Sequence, residues 1–351
     1  MNRKSIKLMI SLIVISVVSC DEPETVVTNY VHPDGSVTRK IEMRNLENKF
    51  DKSGIQVPFD STWTITDSIE IEKEGDTIWV KRGVKNFINI DEINLSYKAD
   101  SGANKEISRQ TGFRKRFKWF NTEFRFSEKI DKKMKFGYPV SEVLNEEELK
   151  YFYSPEGLKH DNDWGPDSLK FRALNDSIKL KTDTWTAKNL VAEWIGAFSE
   201  LTREKTGSDI SHESLKARED EFVRIIEANH ENLDSLWSNG ILLREFIGES
   251  NALRYKYEAD SAVEIAAGNF WVNFKEYSVR ILMPGKLIGT NGFIDSSQVL
   301  LWPVKSDYFL TEQYEMWAES KISNVWAWVI SAIFLVFVLS GVIIRIMKRG
   351  S

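Results

Sequence analysis

Apolar and polar residues alternate through much of the first third of the chain, which is the period of a β-strand with one buried face. The text TVVTNYVHPDGSVTRKIEMR alternates in this way on both sides of His32–Gly35. Because Pro followed by Asp-Gly is typical of a tight turn, this segment predicts a β-hairpin. The same pattern predicts further strands at Trp63–Ile71, Thr77–Lys81 and Phe87–Leu95.

The period changes to that of a helix after about residue 140. Asn145, with Glu148 three residues later, has the spacing of a capping box at the start of a helix. Two apolar stripes at helical spacing follow, one made of Leu190, Val191, Trp194, Ile195, Phe198 and Leu201, the other of Leu215, Phe222, Ile225 and Ile226. Two more helices are predicted near Leu233–Ile247 and Asn251–Ala267. Residues 141–268 are therefore expected to form a mostly helical insert whose stripes pack in a core.

Strands return in the last part of the chain before residue 324, with turns predicted at Pro284-Gly285, Asn291-Gly292 and Asp295–Ser297. The expected fold class is α+β. An antiparallel β-rich domain is contributed by residues 20–140 and 269–323, and the helical insert at 141–268 interrupts it. The sequence leaves open whether the two β-rich parts form one sheet or two.

Aromatic residues occur at both odd and even positions of the segment GFRKRFKWFNTEFRFSEKI, residues 112–130. A single regular strand cannot hold both sets on one face, so we expect a bulge or a tight turn near Phe120–Thr122. One interpretation is a pair of core strands with a solvated basic face, for which alternation alone is sufficient. The other is a basic, aromatic surface that lies on anionic lipid headgroups through Arg114, Arg116, Lys118 and Trp119.

At the N-terminus, an apolar run of about Leu8 to Val18 ends near the only cysteine of the chain. The run is too short to span a bilayer and follows basic residues, so residues 1–19 are predicted to be a secretory signal. Its ending, Val-Val-Ser-Cys, resembles the lipobox of bacterial lipoproteins. That resemblance implies acylation of Cys20 and cleavage that makes it the first residue of the mature chain. The alternative is an ordinary cleaved signal with an incidental cysteine, and the sequence does not tell whether the acidic run after Cys20 is a sorting signal.

A second apolar run, Val325–Ile344, is long enough to cross a membrane as a helix. The membrane anchor comprises this helix, predicted at 324–346, with the interfacial residues Trp326 and Trp328 on its entry side and Arg345, Lys348 and Arg349 on its exit side. The positive-inside rule makes 347–351 a cytoplasmic tail. The alternative is a buried core helix. We expect both anchors in the bacterial cytoplasmic (inner) membrane, with the ectodomain on the periplasmic side.

Charge argues against a nucleic-acid partner. The chain has a formal net charge of −5. Loss of Arg3, Lys4 and Lys7 with the signal, and assignment of three basic C-terminal residues to the cytoplasm, leave about −11 in the ectodomain. Such an acidic domain is a poor binder of nucleic acid.

Motifs for metal, cofactor or catalysis are sparse. None of the four histidines, His32, His160, His212 and His230, has the spacing of a zinc motif. Asp161, Asp163 and Asp167 alternate as in a calcium loop but lack its later ligands, so a solvated turn competes with a calcium site. The chain contains no GxSxG, no phosphate-binding loop and no GxGxxG, so the sequence predicts no cofactor and no enzyme.

The MPG turn, the TNG turn and a strand reaching Trp302, ahead of the membrane helix, resemble the closing hairpins of the LppM-type bacterial envelope lipoprotein domain. The resemblance covers about residues 275–322, the lipobox and the C-terminal transmembrane helix. It implies a β-rich envelope domain that handles lipid, with no assigned catalytic residues. The helical insert departs from that pattern.

The function predicted from these features is that of a non-enzymatic, membrane-anchored envelope lipoprotein, an accessory or interaction module of a cytoplasmic-membrane complex. One alternative is an LppM-type protein that binds a lipid or another apolar ligand, and another is a hydrolase with a hidden carboxylate site. The expected partners are the lipid bilayer, reached by N-terminal acyl chains and the C-terminal helix, and either a lipid ligand or an inner-membrane protein.

Overall fold

The structure is a computed structural model that describes residues 24–46, 48, 50, 57–71, 77–100, 105–155, 169–203, 205, 210–229, 232–270, 274–295 and 299–349. Its strands are β1 (Glu24–Val31), β2 (Val37–Asn45), β3 (Thr64–Ile71), β4 (Thr77–Phe87), β5 (Arg109–Lys118), β6 (Asn121–Ile130), β7 (Tyr277–Leu282), β8 (Lys286–Thr290), β9 (Phe293–Ile294), β10 (Leu300–Val304) and β11 (Tyr314–Ser323).

The α-helices are α1 (Ile90–Lys98), α2 (Glu146–Phe152), α3 (Leu169–Arg203), α4 (His212–Lys216), α5 (Glu219–Ala228), α6 (Leu233–Ser238), α7 (Ile241–Ile247), α8 (Glu249–Arg254), α9 (Lys256–Phe270) and α10 (Val325–Arg349). Two short 3-10 helices lie at Val140–Glu142 and Ser306–Phe309. The fold is α+β, as the sequence predicts.

The strands form two sheets. The first sheet has the order β3-β4-β2-β1-β7-β10-β9, and the second has the order β5-β6-β11-β8. All pairs are antiparallel except β1 with β7, which run parallel. Each sheet therefore combines strands from before and after the helical insert, and the insert leaves from and returns to one β body.

The first predicted hairpin is confirmed as β1 and β2. Asp34 accepts hydrogen bonds from the Ser36 N–H at 3.0 Å and the Ser36 hydroxyl at 2.7 Å, which closes the turn. Gly35 has a φ of 96°, a left-handed conformation that favours glycine. The local turn chemistry thus fixes the register, in which Val31 lies opposite Val37.

The two sheets and α1 share one hydrophobic core. Its fully buried members come from the first sheet, the second sheet and α1, and include Val27, Ile41, Val279, Trp302, Phe126, Met316 and Ile93. On β1, β2, β6 and β11 the buried residues alternate with partly exposed ones, so each sheet has one inner and one outer face. The term β body is used below for the two sheets with α1.

The predicted strand at Phe87–Leu95 is wrong. Strand β4 ends at Phe87, and α1 begins three residues later. The Asn89 side chain accepts a hydrogen bond from the Glu92 N–H at 3.2 Å, while the Glu92 carboxylate accepts one from the Ile88 N–H at 2.9 Å. This capping satisfies N–H groups that a helix end leaves free, and Asp91 and Glu92 in the first turn complement the helix dipole.

The insert is mostly helical and starts as predicted. Asn145 accepts a hydrogen bond from the Glu148 N–H at 3.0 Å, and Glu148 accepts one from the Asn145 N–H at 2.9 Å, which completes the capping box at α2. Both apolar stripes lie on helices, the first on α3 and the second on α4 and α5. Their buried members, with residues of α6 to α9, form a core separate from that of the β body.

The two later helices predicted for the insert are each broken. The helix predicted at Leu233–Ile247 divides into α6 and α7 at Gly240, whose φ is 70°. The helix predicted at Asn251–Ala267 divides into α8 and α9 at Tyr255, which is 2% exposed. An apolar stripe indicates which residues are buried but not whether the backbone between them stays helical. The periodicity therefore could not predict the two breaks.

The turns predicted after the insert are confirmed at Pro284-Gly285 and Asn291-Gly292, while Ser296 and Ser297 lie outside the described residues. Gly285 has a φ of 80°, and a Cβ there would lie 2.4 Å from the Lys321 carbonyl oxygen. The β7–β8 turn therefore packs closely against β11, at the end of the second sheet from which α10 leaves.

Candidate membrane interface

Helix α10 spans 25 residues and is long and apolar enough to cross a membrane. At 1.5 Å per residue it is about 37 Å long, which exceeds a typical hydrocarbon core. Apart from the buried Ala327, its side chains are exposed or half-exposed, which does not fit a buried core helix. The predicted basic residues Lys348 and Arg349 lie in its last turn, and Arg345 lies one turn earlier.

A single residue, Asn324, joins β11 to α10. Its backbone N–H donates to the Phe120 carbonyl at 2.9 Å, and its side-chain amide donates to the carbonyls of Lys118 at 2.8 Å and Trp119 at 3.2 Å. Its side-chain oxygen accepts from the Thr122 hydroxyl at 3.0 Å. The Asn324 carbonyl also accepts hydrogen bonds from N–H groups in the first turn of α10, including that of Ala327 at 2.9 Å. One residue therefore ties the start of α10 to the turn between β5 and β6.

Aromatic side chains reinforce this joint. We call Phe117–Phe120 the hairpin tip, because it forms the turn between β5 and β6 together with the last residues of β5. Trp326 contacts the tip through Phe117, with ring centroids 6.2 Å apart, and through Trp119, at 5.4 Å. Phe120 contacts Trp328 at 4.3 Å.

These five rings remain between 39% and 58% exposed. Trp119 also donates from Nε1 to the Ser331 hydroxyl at 2.9 Å, six residues into α10. Six helical residues rise about 9 Å, so the hairpin tip extends along the first two turns of the helix. Half-exposed Trp and Phe rings around the start of an apolar helix are typical of the aromatic belt at a membrane surface.

The outer face of the second sheet is cationic. The pairing register places seven basic side chains on it, namely Arg114, Arg116, Lys118, Arg125, Lys129, Lys286 and Lys321. The same face carries three carboxylates, Glu123, Glu315 and Glu319. This face is therefore positively charged, although the whole chain has a net negative charge.

The three carboxylates all pair with basic neighbours on this face. Arg125 bonds to Glu319 at 2.9 Å and Glu315 at 3.3 Å, and these hydrogen bonds raise the pKa of its guanidinium. Glu123 pairs with Lys118. In the described part of the chain, no ion pair is formed by Arg114, Arg116, Lys286 or Lys321. Arg114, Arg116 and Arg125 line a shallow groove of about 200 Å³ on this face.

Strand β1 starts at the end of the β body far from α10. The β7–β8 turn lies beside Lys321, at the end of the β body from which α10 leaves, and β1 runs parallel to β7 with Tyr30 opposite Leu282. Glu24 is six residues before Tyr30, so along the strand direction it lies about 20 Å farther than Leu282 from the end of the β body that carries α10.

The structure brings several predicted site residues together. Trp119, Trp326 and Trp328 meet at the joint, while Arg114, Arg116 and Lys118 lie on the adjacent outer face. The core-strand interpretation is correct for Phe124 and Phe126, which are buried, whereas the hairpin tip is exposed. Cys20, residues 1–19 and the calcium-loop candidates Asp161, Asp163 and Asp167 lie outside the described residues.

Sequence reasoning missed three features of this interface. Lys321 joins the cationic face through the pairing of β11 with β6, and Lys286 joins it through the pairing of β8 with β11, whose register shifts at Glu319/Ser320. Asn324 could have been recognised, because Asn directly before an apolar helical run is a start signal. The contact of the hairpin tip with α10 links residues about 200 positions apart, and no local pattern records it.

No family model and no curated protein match the chain. Among solved structures, the NMR structure of the LppM folded domain from Mycobacterium tuberculosis is similar over 88% of this chain and 95% of that chain, at 8% sequence identity and a TM-score of 0.26. At this TM-score the similarity carries no argument about function, which rests here on the geometry of the interface.

Replacing Asn324 with alanine is expected to loosen the joint. The change removes three side-chain hydrogen bonds, each of which contributes about 1 kcal/mol. In the full chain in nanodiscs, the summed loss of about 3 kcal/mol should accelerate amide hydrogen exchange of residues 118–122 and 325–328 by about a hundredfold. Ser323→Ala is the matched control, since Ser323 is exposed at the end of β11. Equal exchange in the two variants would contradict the role given to Asn324.

Proposed function

We propose that this protein is a non-enzymatic envelope lipoprotein of the bacterial cytoplasmic membrane that acts as an interaction module. In this proposal the β body is a support fixed to the membrane, and the helical insert is the part presented to a protein partner. The observation that carries the proposal is the one-residue joint at Asn324. A domain that only needed tethering would be served by a flexible linker, whereas this joint fixes the orientation of β11 to α10.

The position of the insert supports this role. Strand β6 leads away from the membrane and enters the insert after Ile130, which pairs with Tyr314 at the far end of β11. Ten residues of strand rise about 33 Å, so the insert is attached about that far from the start of α10. Its main core is its own, built from α3 to α9, while a smaller cluster packs Ile178 and Trp185 of α3 against Met134 and Leu310, which lie after β6 and before β11. A rigid body would therefore hold a separately packed helical unit at a fixed height above the bilayer.

The interior of the β body favours partner binding over lipid carriage. Large buried side chains such as Trp302, Tyr308 and Phe126 pack in the core that the two sheets share. A protein that carries an acyl chain needs an apolar cavity, which is the usual form of such a site. The lipid contact that we propose is therefore with a membrane surface, and it is argued in the next subsection.

A predicted lipid on Cys20 would add a second attachment at the other end of the β body. Because β1 starts far from α10, the acyl chains and the helix would hold opposite ends of the domain. The sequence alone had suggested one surface for both. Mass determination of the mature N-terminus tests the acylation of Cys20. Protease access to residues 21–24 in sealed vesicles tests on which side of the membrane the N-terminus lies.

The function is tested by cross-linking in intact cells. The full chain is cross-linked through amines, purified in mild detergent and compared with a variant carrying a six-residue Gly-Ser linker between Ser323 and Asn324. We expect one protein to cross-link reproducibly to lysines of the insert, with at least a threefold lower yield in the linker variant. Both chains must insert equally into membranes. A linker without effect on the yield, or no reproducible partner, would overturn the proposal.

A further inference from the structure

The cationic side chains of the second sheet are concentrated where the chain meets the membrane. We call Arg116, Lys118, Lys286 and Lys321 the membrane rows, because they occupy the last two rows of the outer face before α10. Arg116 lies in one row with Glu123, Lys321 and Lys286 across the four strands. Lys118 lies one row nearer to Asn324. At about 3.3 Å per residue, these rows lie within about 10 Å of the start of the helix.

Three of the four side chains in the membrane rows are free to bind an external anion. Lys118 pairs with Glu123, but no ion pair holds Arg116, Lys286 or Lys321 within the described ranges, and each of these three is exposed. Lys286 and Lys321 stand directly opposite each other, and like charges in opposite positions destabilise a sheet. A nearby anion would relieve that repulsion, so the arrangement favours one.

The aromatic belt indicates how close the membrane rows lie to the membrane surface. Phe117 and Trp119 border the membrane rows on β5 and the turn, and both contact Trp326 at the start of α10. Since Trp rings at a membrane surface lie at the level of the headgroups, the membrane rows lie at or just above that level. An acidic ectodomain would be repelled by an anionic bilayer everywhere except at such a face.

We propose that the membrane rows bind the headgroups of anionic phospholipids in the bilayer that holds α10. The inference rests on the proposed function, because it takes α10 as a spanning helix. Phosphate groups complement free Lys and Arg side chains, and the aromatic tip supplies the apolar contact below them. Headgroup binding would prevent the β body from tilting about Asn324 and so keep the insert at its height.

The test uses the full chain in nanodiscs of phosphatidylcholine with 30% phosphatidylglycerol. Native mass spectrometry after gentle delipidation measures the ratio of retained phosphatidylglycerol to retained phosphatidylcholine. The face variant is Arg116→Gln with Lys286→Gln and Lys321→Gln. We expect the wild type to retain phosphatidylglycerol preferentially, and the face variant to lose at least about fivefold in this ratio. The difference should shrink as ionic strength rises.

Two further variants separate this result from other causes. Lys98→Gln with Lys150→Gln and Lys179→Gln removes the same charge from exposed lysines elsewhere and should retain the wild-type ratio. Arg345→Gln with Lys348→Gln and Arg349→Gln tests the basic residues at the other end of α10. The inference is overturned if the wild type shows no preference, if the control variant matches the face variant, or if only the helix-end variant lowers the ratio.

Membrane insertion is measured separately, by resistance of each variant to carbonate extraction. Failure of the wild type to resist extraction would overturn the proposed function together with this inference. Full insertion combined with an unchanged lipid ratio in the face variant would overturn this inference alone.

Discussion

Replacing Arg39 with methionine is expected to lower the free energy of unfolding of the full chain by about 3–5 kcal/mol. Arg39 lies on the inner face of β2 and is 1% exposed. Its guanidinium donates to Asn29 at 2.7 Å, to the Tyr97 hydroxyl at 2.6 Å and to Glu128 at 3.1 Å. Methionine fills similar space but leaves the 2%-exposed Glu128 in the core without its cation.

The Arg39 network joins three elements that surround the shared core. Asn29 belongs to β1 of the first sheet, Glu128 to β6 of the second sheet and Tyr97 to α1. Burial raises the pKa of the Tyr97 phenol well above its ordinary value, so Tyr97 stays protonated and donates to Glu128. Loss of Arg39 therefore removes one cation from a group of polar side chains that are buried away from solvent.

Denaturant unfolding of the full chain in detergent measures this effect. Lys40→Met is the matched control on the same strand, because Lys40 is on the outer face and its pair with Glu42 is partly exposed. We expect this control to cost less than about 1 kcal/mol. Combining Arg39→Met with Glu128→Leu should restore much of the loss, since an apolar pair can replace a buried ion pair. Equal losses for Arg39→Met and Lys40→Met would contradict the assignment.

Local chemistry explains which parts of the fold could be predicted. The β1–β2 hairpin follows from the Pro33-Asp34-Gly35 turn, and α2 follows from the Asn145–Glu148 capping box, because each signal lies within a few residues of the element that it starts. The missed helix α1 carried its own signal, Asn89 with Glu92 three residues on. The strand prediction extended the alternating pattern of β4 through these residues, and the signal for a helix start was therefore missed.

Long-range pairing explains what could not be predicted. The parallel contact of β1 with β7 joins residues about 250 positions apart, and it places Glu24 at the far end from α10. The cationic face likewise needs β8 and β6 on either side of β11. The sequence predicted Trp326 and Trp328 as interfacial residues and gave a lipid-facing surface as one of two interpretations of Arg114, Arg116 and Lys118, but it could not predict that the hairpin tip lies against the helix.

Replacing Phe222 with alanine is expected to destabilise the helical insert by about 3–5 kcal/mol while leaving the β body folded. Phe222 is fully buried, its ring lies 4.2 Å from that of Phe246 and 6.5 Å from that of Trp194, and all three belong to the insert core. No residue of that core belongs to either sheet among those the structure describes. The cavity left by Phe222 would therefore weaken contacts among α3, α5 and α7 only.

Hydrogen exchange in the full chain distinguishes local from global loss for Phe222→Ala. Amides of α3 to α9 should exchange at least a hundredfold faster, while those of β1, β6 and β11 keep wild-type protection, because opening of one cooperative unit need not open another. Tyr257→Ala is the matched control, since this aromatic residue of α9 is 79% exposed. Equal acceleration in the strands would mean that insert and β body unfold together, and the insert could then not act as the separately packed unit that the membrane joint holds toward a partner.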